Sequence, residues 1–108
     1  MAIISRGGYE MICELCGRDV PRVTSHHLIP KATHTKRLKK DMGDERNRQA
    51  DLCVACHRQL HYLFANKLLG RELNTLDLIR QNAEVVTYVN WIRKRPGDFV
   101  PRKGVRKR

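Results

Sequence analysis

Along the 108-residue chain, apolar positions come in short extended runs near the N-terminus and in helical spacing towards the C-terminus. Residues 9 to 16 read as an extended lead into a turn supplied by Gly17. Residues 22 to 29, RVTSHHLI, read as a strand ended by Pro30, which has no N–H to give to a ladder. From Lys31 to Arg48 the apolar periodicity is lost. KATHTKRLKKDMGDERNR, with seven basic and three acidic residues, is expected to form an exposed basic loop with room for one helical turn. CHRQLHYLFANKLLG then predicts a helix closed by Gly70. On it His57, His61, Phe64 and Leu68 recur at i, i+4, i+7 and i+11 and share one face. TLDLIRQ predicts a further helix capped by Asn74 or Thr75, and NAEVVTYVNWIRK another, capped by Asn82 with Glu84 in its first turn. Two helices are read because a single one would scatter its apolar residues over two stripes. Separately, Val85, Val89 and Ile92 make one buried face with Val86 at its edge.

Length makes this a single small domain, expected over residues 1–95, whose core alone would stabilise it only marginally, and the strands followed by helices make its expected class α+β. Residues 96–108 close the chain as a basic, flexible tail; between Arg93 and Arg108 there are eight basic residues against one acid. The whole chain has 22 Lys and Arg against 11 Asp and Glu, and a formal charge of +11 points to a polyanionic partner, nucleic acid first. MAIISRGGYE lacks an apolar signal region and no stretch reaches membrane-spanning length, so the expected location is the cytoplasm.

The four cysteines fall in CELC and CVAC, as Cys13, Cys16, Cys53 and Cys56. Two C-x2-C knuckles in a chain without an export signal predict a tetrahedral zinc site, each knuckle aiming two thiolates at one ion. A redox pair would need a βαβ pattern that is absent here. Four thiolates leave no open position for substrate, so this site is assigned to structure. A finger built from Cys13, Cys16, His57 and His61 is the rival partition, but it would strand Cys53 and Cys56.

Four of the five histidines fall in an adjacent pair, His26–His27, and a helical pair, His57–His61. The i, i+4 spacing brings two ring nitrogens within reach of one ion. Neighbours on a strand point to opposite faces. One of the adjacent pair therefore can complete a three-ligand site while the other stays free for chemistry. His34, in the basic loop, is expected to face solvent, and Tyr62, Phe64 and Trp91 are expected in the core.

The order C-x2-C, HH-hydrophobic-x-P, Asn, LC-x2-CH-x3-H resembles the HNH endonuclease family over roughly residues 9 to 65. The His pair followed by His-x3-His is similar to the colicin-type branch, and the four cysteines to zinc-containing members from bacteria and phages. The resemblance implies a ββα-metal core. It also implies His27 as general base, His26, His57 and His61 as ligands of one catalytic divalent ion, and Asn47 as a brace of the loop that orients the base. Hydrolysis of DNA to 5′-phosphate and 3′-hydroxyl ends would follow, with the ion stabilising the transition state and the leaving oxygen. Three imidazoles accept zinc, nickel, cobalt or manganese, with magnesium less favoured. Lys36, Arg37, Lys39 and Lys40, just after the His strand, are expected to contact the phosphates of double-stranded DNA. The alternative is a non-catalytic, zinc-stabilised nucleic-acid-binding module. The DNA target, the oligomeric state and the biological role are open at this point.

Overall fold

Gly17 adopts φ 77°, and this left-handed residue reverses the chain between β1 (Met11–Ile12) and β2 (Asp19–Val20), which pair antiparallel. The computed structural model describes residues 9–30, 34–102 and 104. A second antiparallel pair joins β3 (Thr24–His27) to β4 (Gln49–Leu52), with Thr24 opposite Leu52, His26 opposite Ala50 and His27 opposite Gln49. Between these strands lie α1 (Lys36–Met42) and a 3-10 helix, Gly43–Asn47. Four helices follow: α2 (Val54–Leu63), α3 (Asn66–Glu72), α4 (Leu76–Gln81) and α5 (Ala83–Ile92). The result is a small α+β fold with two short sheets.

The helix starts are chemically specified. Cys53 caps α2, its sulfur accepting from Cys56 N. The Thr75 hydroxyl accepts from Leu78 N to open α4, and Asn82 Oδ1 accepts from Glu84 N and Val85 N to open α5. Helix α2 packs over the second sheet, against both β3 and β4, and α4 packs against α5. Leu52, Leu60, Leu69, Ile79 and Ile92 are fully buried, one from each of β4, α2, α3, α4 and α5. Each such side chain contributes about 2 kcal/mol by leaving water. Arg80 Nη2 donates to Glu14 O at 2.7 Å, and Glu14 N donates to Asp51 O at 2.9 Å, so α4 and β4 both hold the first knuckle.

Several expectations change. Strand β3 ends at His27, short of the expected residue 29. The basic segment is helical over Lys36–Met42, because Lys, Arg, Leu and Met favour a helix even without an apolar stripe, and Arg37 pairs with Asp41 one turn on at 3.6 Å. The helix expected through Gly70 breaks at Phe64, which is extended at φ −130° and ψ 135°. A continuous helix would place Phe64 on the same side as His57 and His61; the break turns it into the core, and Gly70 lies inside α3 rather than capping it. On α5, Tyr88 takes the buried edge and Val86 is exposed, while Tyr62 on α2 is exposed rather than in the core.

The segment read as a flexible basic arm begins with a docked stretch. Arg18 Nη1 donates to Pro96 O at 2.6 Å and to Phe99 O at 3.2 Å. Gly97 packs so tightly on the Asp19 carbonyl that a Cβ there would collide with it. Arg95 stacks over Trp91, 4.6 Å from the ring centre, and Trp91 meets Phe99 edge-on. Lys103 and residues 105–108 lie outside the described residues.

Candidate metal centres

Two separate groups of side chains gather ligand atoms within 4.8 Å of one another: Cys13, Cys16, Cys53 and Cys56, and His26, His57 and His61. Helix α2 serves both, with Cys53 and Cys56 at its N-terminus and His57 and His61 one turn apart along it.

All four cysteines are buried, with no disulfide among them. Leu15 N and Cys16 N both lie 3.4 Å from Cys13 Sγ, and Cys56 N lies 3.4 Å from Cys53 Sγ. Arg18 adds Nε to Cys16 Sγ and Nη2 to Cys53 Sγ, each at 3.4 Å. These donors all face sulfur and favour thiolate over thiol. Crowding divides the protons unequally. Hydrogen bonds, first from Cys16, hold Cys13 far below an ordinary thiol, and those from Cys13 first push Cys56 far above. Burial opposes the charge on Arg18, yet its bonds to Cys16 and Cys53 keep the guanidinium above its ordinary value. Four close sulfurs with this many N–H donors fit a structural metal such as zinc.

The three imidazoles sit with ring centres 5.0 to 5.4 Å apart. His26 has no exposed surface, and neither Nδ1 nor Nε2 has a hydrogen-bond partner. A buried polar atom without a partner is costly, and His26 carries two. Burial first, then the charges of His57, His61 and His27, lower its pKa to about 4. Burial also lowers His57 and His61, so all three rings favour the neutral form that ligates a metal. The Thr24 hydroxyl lies 2.7 Å from His57 Nδ1 and 3.2 Å from Leu52 O. With its single proton on Leu52 O, the hydroxyl accepts from Nδ1–H, which leaves the lone pair of His57 on Nε2. Three converging neutral nitrogens, one of them otherwise unsatisfied, fit a divalent ion.

His27 follows the alternation of β3: it is half-buried and outside this group of ligand atoms, with Gln49 Nε2 3.2 Å from its Nε2. Asn47 is exposed at the end of the 3-10 helix. Lys36, Arg37, Lys39 and Lys40 are all exposed on α1. His34 is half-buried rather than solvent-facing, its Nε2 2.9 Å from Ile29 O.

Thr24, Gln49 and Arg18 support these centres without standing out in the sequence. A signal existed for one of them: Thr24 is two residues from His26 and so shares its strand face. Gln49 meets His27 only through the register of β3 on β4, which no spacing in the sequence discloses, and Arg18, a lone arginine after a knuckle, reads as a surface charge.

Among known proteins, the uncharacterized protein YisB of Bacillus subtilis (strain 168) is 40% identical over 85 residues, covering 79% of this chain and 76% of the relative. No family model matches the chain, and no solved structure does. Among the described residues, no helix is long and apolar enough to cross a membrane.

Proposed function

The chain belongs to the family of that Bacillus subtilis protein, and from this premise we propose that it is a metal-dependent endonuclease of the HNH type, hydrolysing phosphodiester bonds of duplex DNA. The observation that carries the proposal is the buried, doubly unsatisfied His26 ring, gathered with His57 and His61 while its strand neighbour His27 stays apart. This division of labour suits a hydrolase: three imidazoles to hold an ion, and a fourth to take a proton from water. A divalent ion, when bound, supplies Lewis-acid stabilisation of the negative charge that develops on the phosphoryl and leaving oxygens. His27, half-exposed and outside the group of ligand atoms, accepts the proton of the attacking water. Gln49, with its amide turned so that Oε1 accepts from Nε2–H of His27, fixes the place of the ring and leaves the Nδ1 lone pair for that proton, and Asn47 braces the segment leading into β4. The cysteine site is structural, and Lys36, Arg37, Lys39 and Lys40 on α1 meet the phosphate backbone.

Conversion of supercoiled plasmid to nicked and linear forms, with metals added singly after chelation, tests the proposal. The parent protein is expected to cut, and His27→Ala to lose about 10²–10⁴-fold in rate while keeping its fold and metal content. Absence of cutting with zinc, nickel, cobalt, manganese and magnesium alike would refute it. The exposed basic face of α1 favours a second reading, a zinc-stabilised DNA-binding module without catalysis. That module predicts binding of plasmid with no cut product and a single tightly held metal.

A further inference from the structure

An open hollow of about 230 Å³ lies directly before the histidine cluster, lined by Arg22, Thr24, Val54, His57, Arg58 and His61. His57 and His61 form part of its wall, whereas His26 is sealed off behind them. Among the described residues no carboxylate lines it, and the side chains of fixed charge there are two guanidinium groups. They reach it from different elements. Arg22 precedes β3, and Arg58 follows His57 on α2. Arg58 is held in place, since its Nη1 donates to Pro101 O at 3.2 Å. The same C-terminal stretch is fastened further back by Arg18 on Pro96 and Phe99, so Arg58, carried by α2, also touches a strap anchored at the cysteine site.

Arginine presents planar, paired N–H donors that match a phosphate, and it keeps its charge at any physiological pH. A hollow with two such groups and no acid selects an anion. Because it is open to solvent rather than enclosed, it suits one phosphate in a continuous strand better than a small molecule that must be surrounded. We propose that Arg22 and Arg58 form a clamp for the reacting phosphodiester of DNA, seating it in front of His57 and His61. The clamp rests on the endonuclease reading and names the residues that bring substrate to that centre. Backbone contacts along α1 would orient the duplex; Arg22 and Arg58 select which phosphate lies at the ion.

The test is anisotropy of a fluorescein-labelled duplex with the zinc-loaded His27→Ala protein, chosen to hold DNA without cutting it, over a series of salt concentrations. Arg22→Ala and Arg58→Ala, each added to that background, are expected to weaken binding about tenfold and to lower the salt slope by about one. Arg22→Lys and Arg58→Lys should restore the slope but only part of the affinity. Arg71→Ala, on the exposed side of α3, should leave both unchanged. Metal content and thermal midpoint of every variant are measured alongside, so that lost binding is not lost folding. If Arg22→Ala and Arg58→Ala, with intact metal content, bind like Arg71→Ala while the parent cuts plasmid, the clamp is overturned and the endonuclease stands. If the parent neither binds nor cuts duplex with any metal, both fall together.

Discussion

Thr24 and His57 meet at 2.7 Å, hydroxyl oxygen to ring Nδ1, across the junction of β3 and α2. That contact decides which nitrogen of His57 can ligate, because a ring that donates from Nδ1 keeps its lone pair on Nε2. Thr24→Val preserves shape and removes the acceptor. It should weaken metal binding at the histidine cluster about 10–100-fold, as loss of a ligand's outer partner usually does, while the cysteine-bound metal is unaffected. Thr24→Ser should restore most of the affinity. Competition against a chromophoric chelator measures both, and equal affinities for parent and Thr24→Val would rule out the tautomer role.

Two centres on one helix predict two metals of different character. The saturated protein should hold two ions per chain, one resistant to mild chelation and one exchangeable. His57→Ala or His61→Ala should abolish only the exchangeable ion, with the fold intact. Cys13→Ala should instead cost the fold, because the sulfur cluster ties the first knuckle to α2 and metal binding there is folding energy. Cobalt substitution reads the difference directly, as thiolate-to-metal charge transfer belongs to the cysteine site alone. A single ion at saturation would contradict the two-centre arrangement.

Both clusters of ligand side chains were legible because the residue types and spacings that suit a metal are constrained together: C-x2-C makes a knuckle, and His-x3-His makes a helix face. Capping chemistry was equally readable at Thr75 and Asn82, where one side chain does the work locally. What escaped notice depended on tertiary contact. Nothing in LFANK, without Gly or Pro, signals the break at Phe64, which reflects competition between the core and the histidine face for one aromatic ring. Nor does a run of basic residues disclose α1, since its helix relies on propensity rather than periodicity. Docking of residues 96–102 was hidden for the same reason, resting on contacts far away in sequence, among them the buried Arg18, the Asp19 carbonyl and Arg58.

That arginine gives the next prediction. Arg18 is buried between two sulfurs and two carbonyl oxygens. Arg18→Met keeps an apolar stem but leaves the Pro96 and Phe99 carbonyls without the Arg18 donor and removes one donor each from the Cys16 and Cys53 sulfurs. It should cost about 3 kcal/mol and open the C-terminal stretch to protease. Gly97→Val should open the same stretch without touching the sulfurs, by forcing it off the Asp19 carbonyl. Denaturation midpoints and limited proteolysis followed by mass spectrometry check both variants; unchanged cleavage patterns would show that the stretch is held by other contacts.

Burial of His26 gives a pH dependence with a definite sign. In the unfolded chain the ring titrates at its ordinary value of 6.5, whereas in the fold it stays neutral down to about 4. Above pH 6.5 both states are neutral and the ring contributes no slope. As pH falls below 6.5 the unfolded chain gains a proton that the folded chain refuses, so stability is lost progressively until about pH 4. A shift of that size corresponds to about 3 kcal/mol over the window. His57 and His61 are lowered too and act in the same direction. Urea midpoints between pH 7.5 and 4, without added metal, should fall for the parent and fall much less for His26→Leu, which has no proton to gain. Acid loss of the cysteine-bound metal affects both proteins alike and cancels in the comparison. Saturating zinc should steepen the parent's slope, because protonation must then also displace the ion. Parallel curves for the two proteins would mean that His26 is accessible to protons in the fold, and with that its role as a buried ligand would fail.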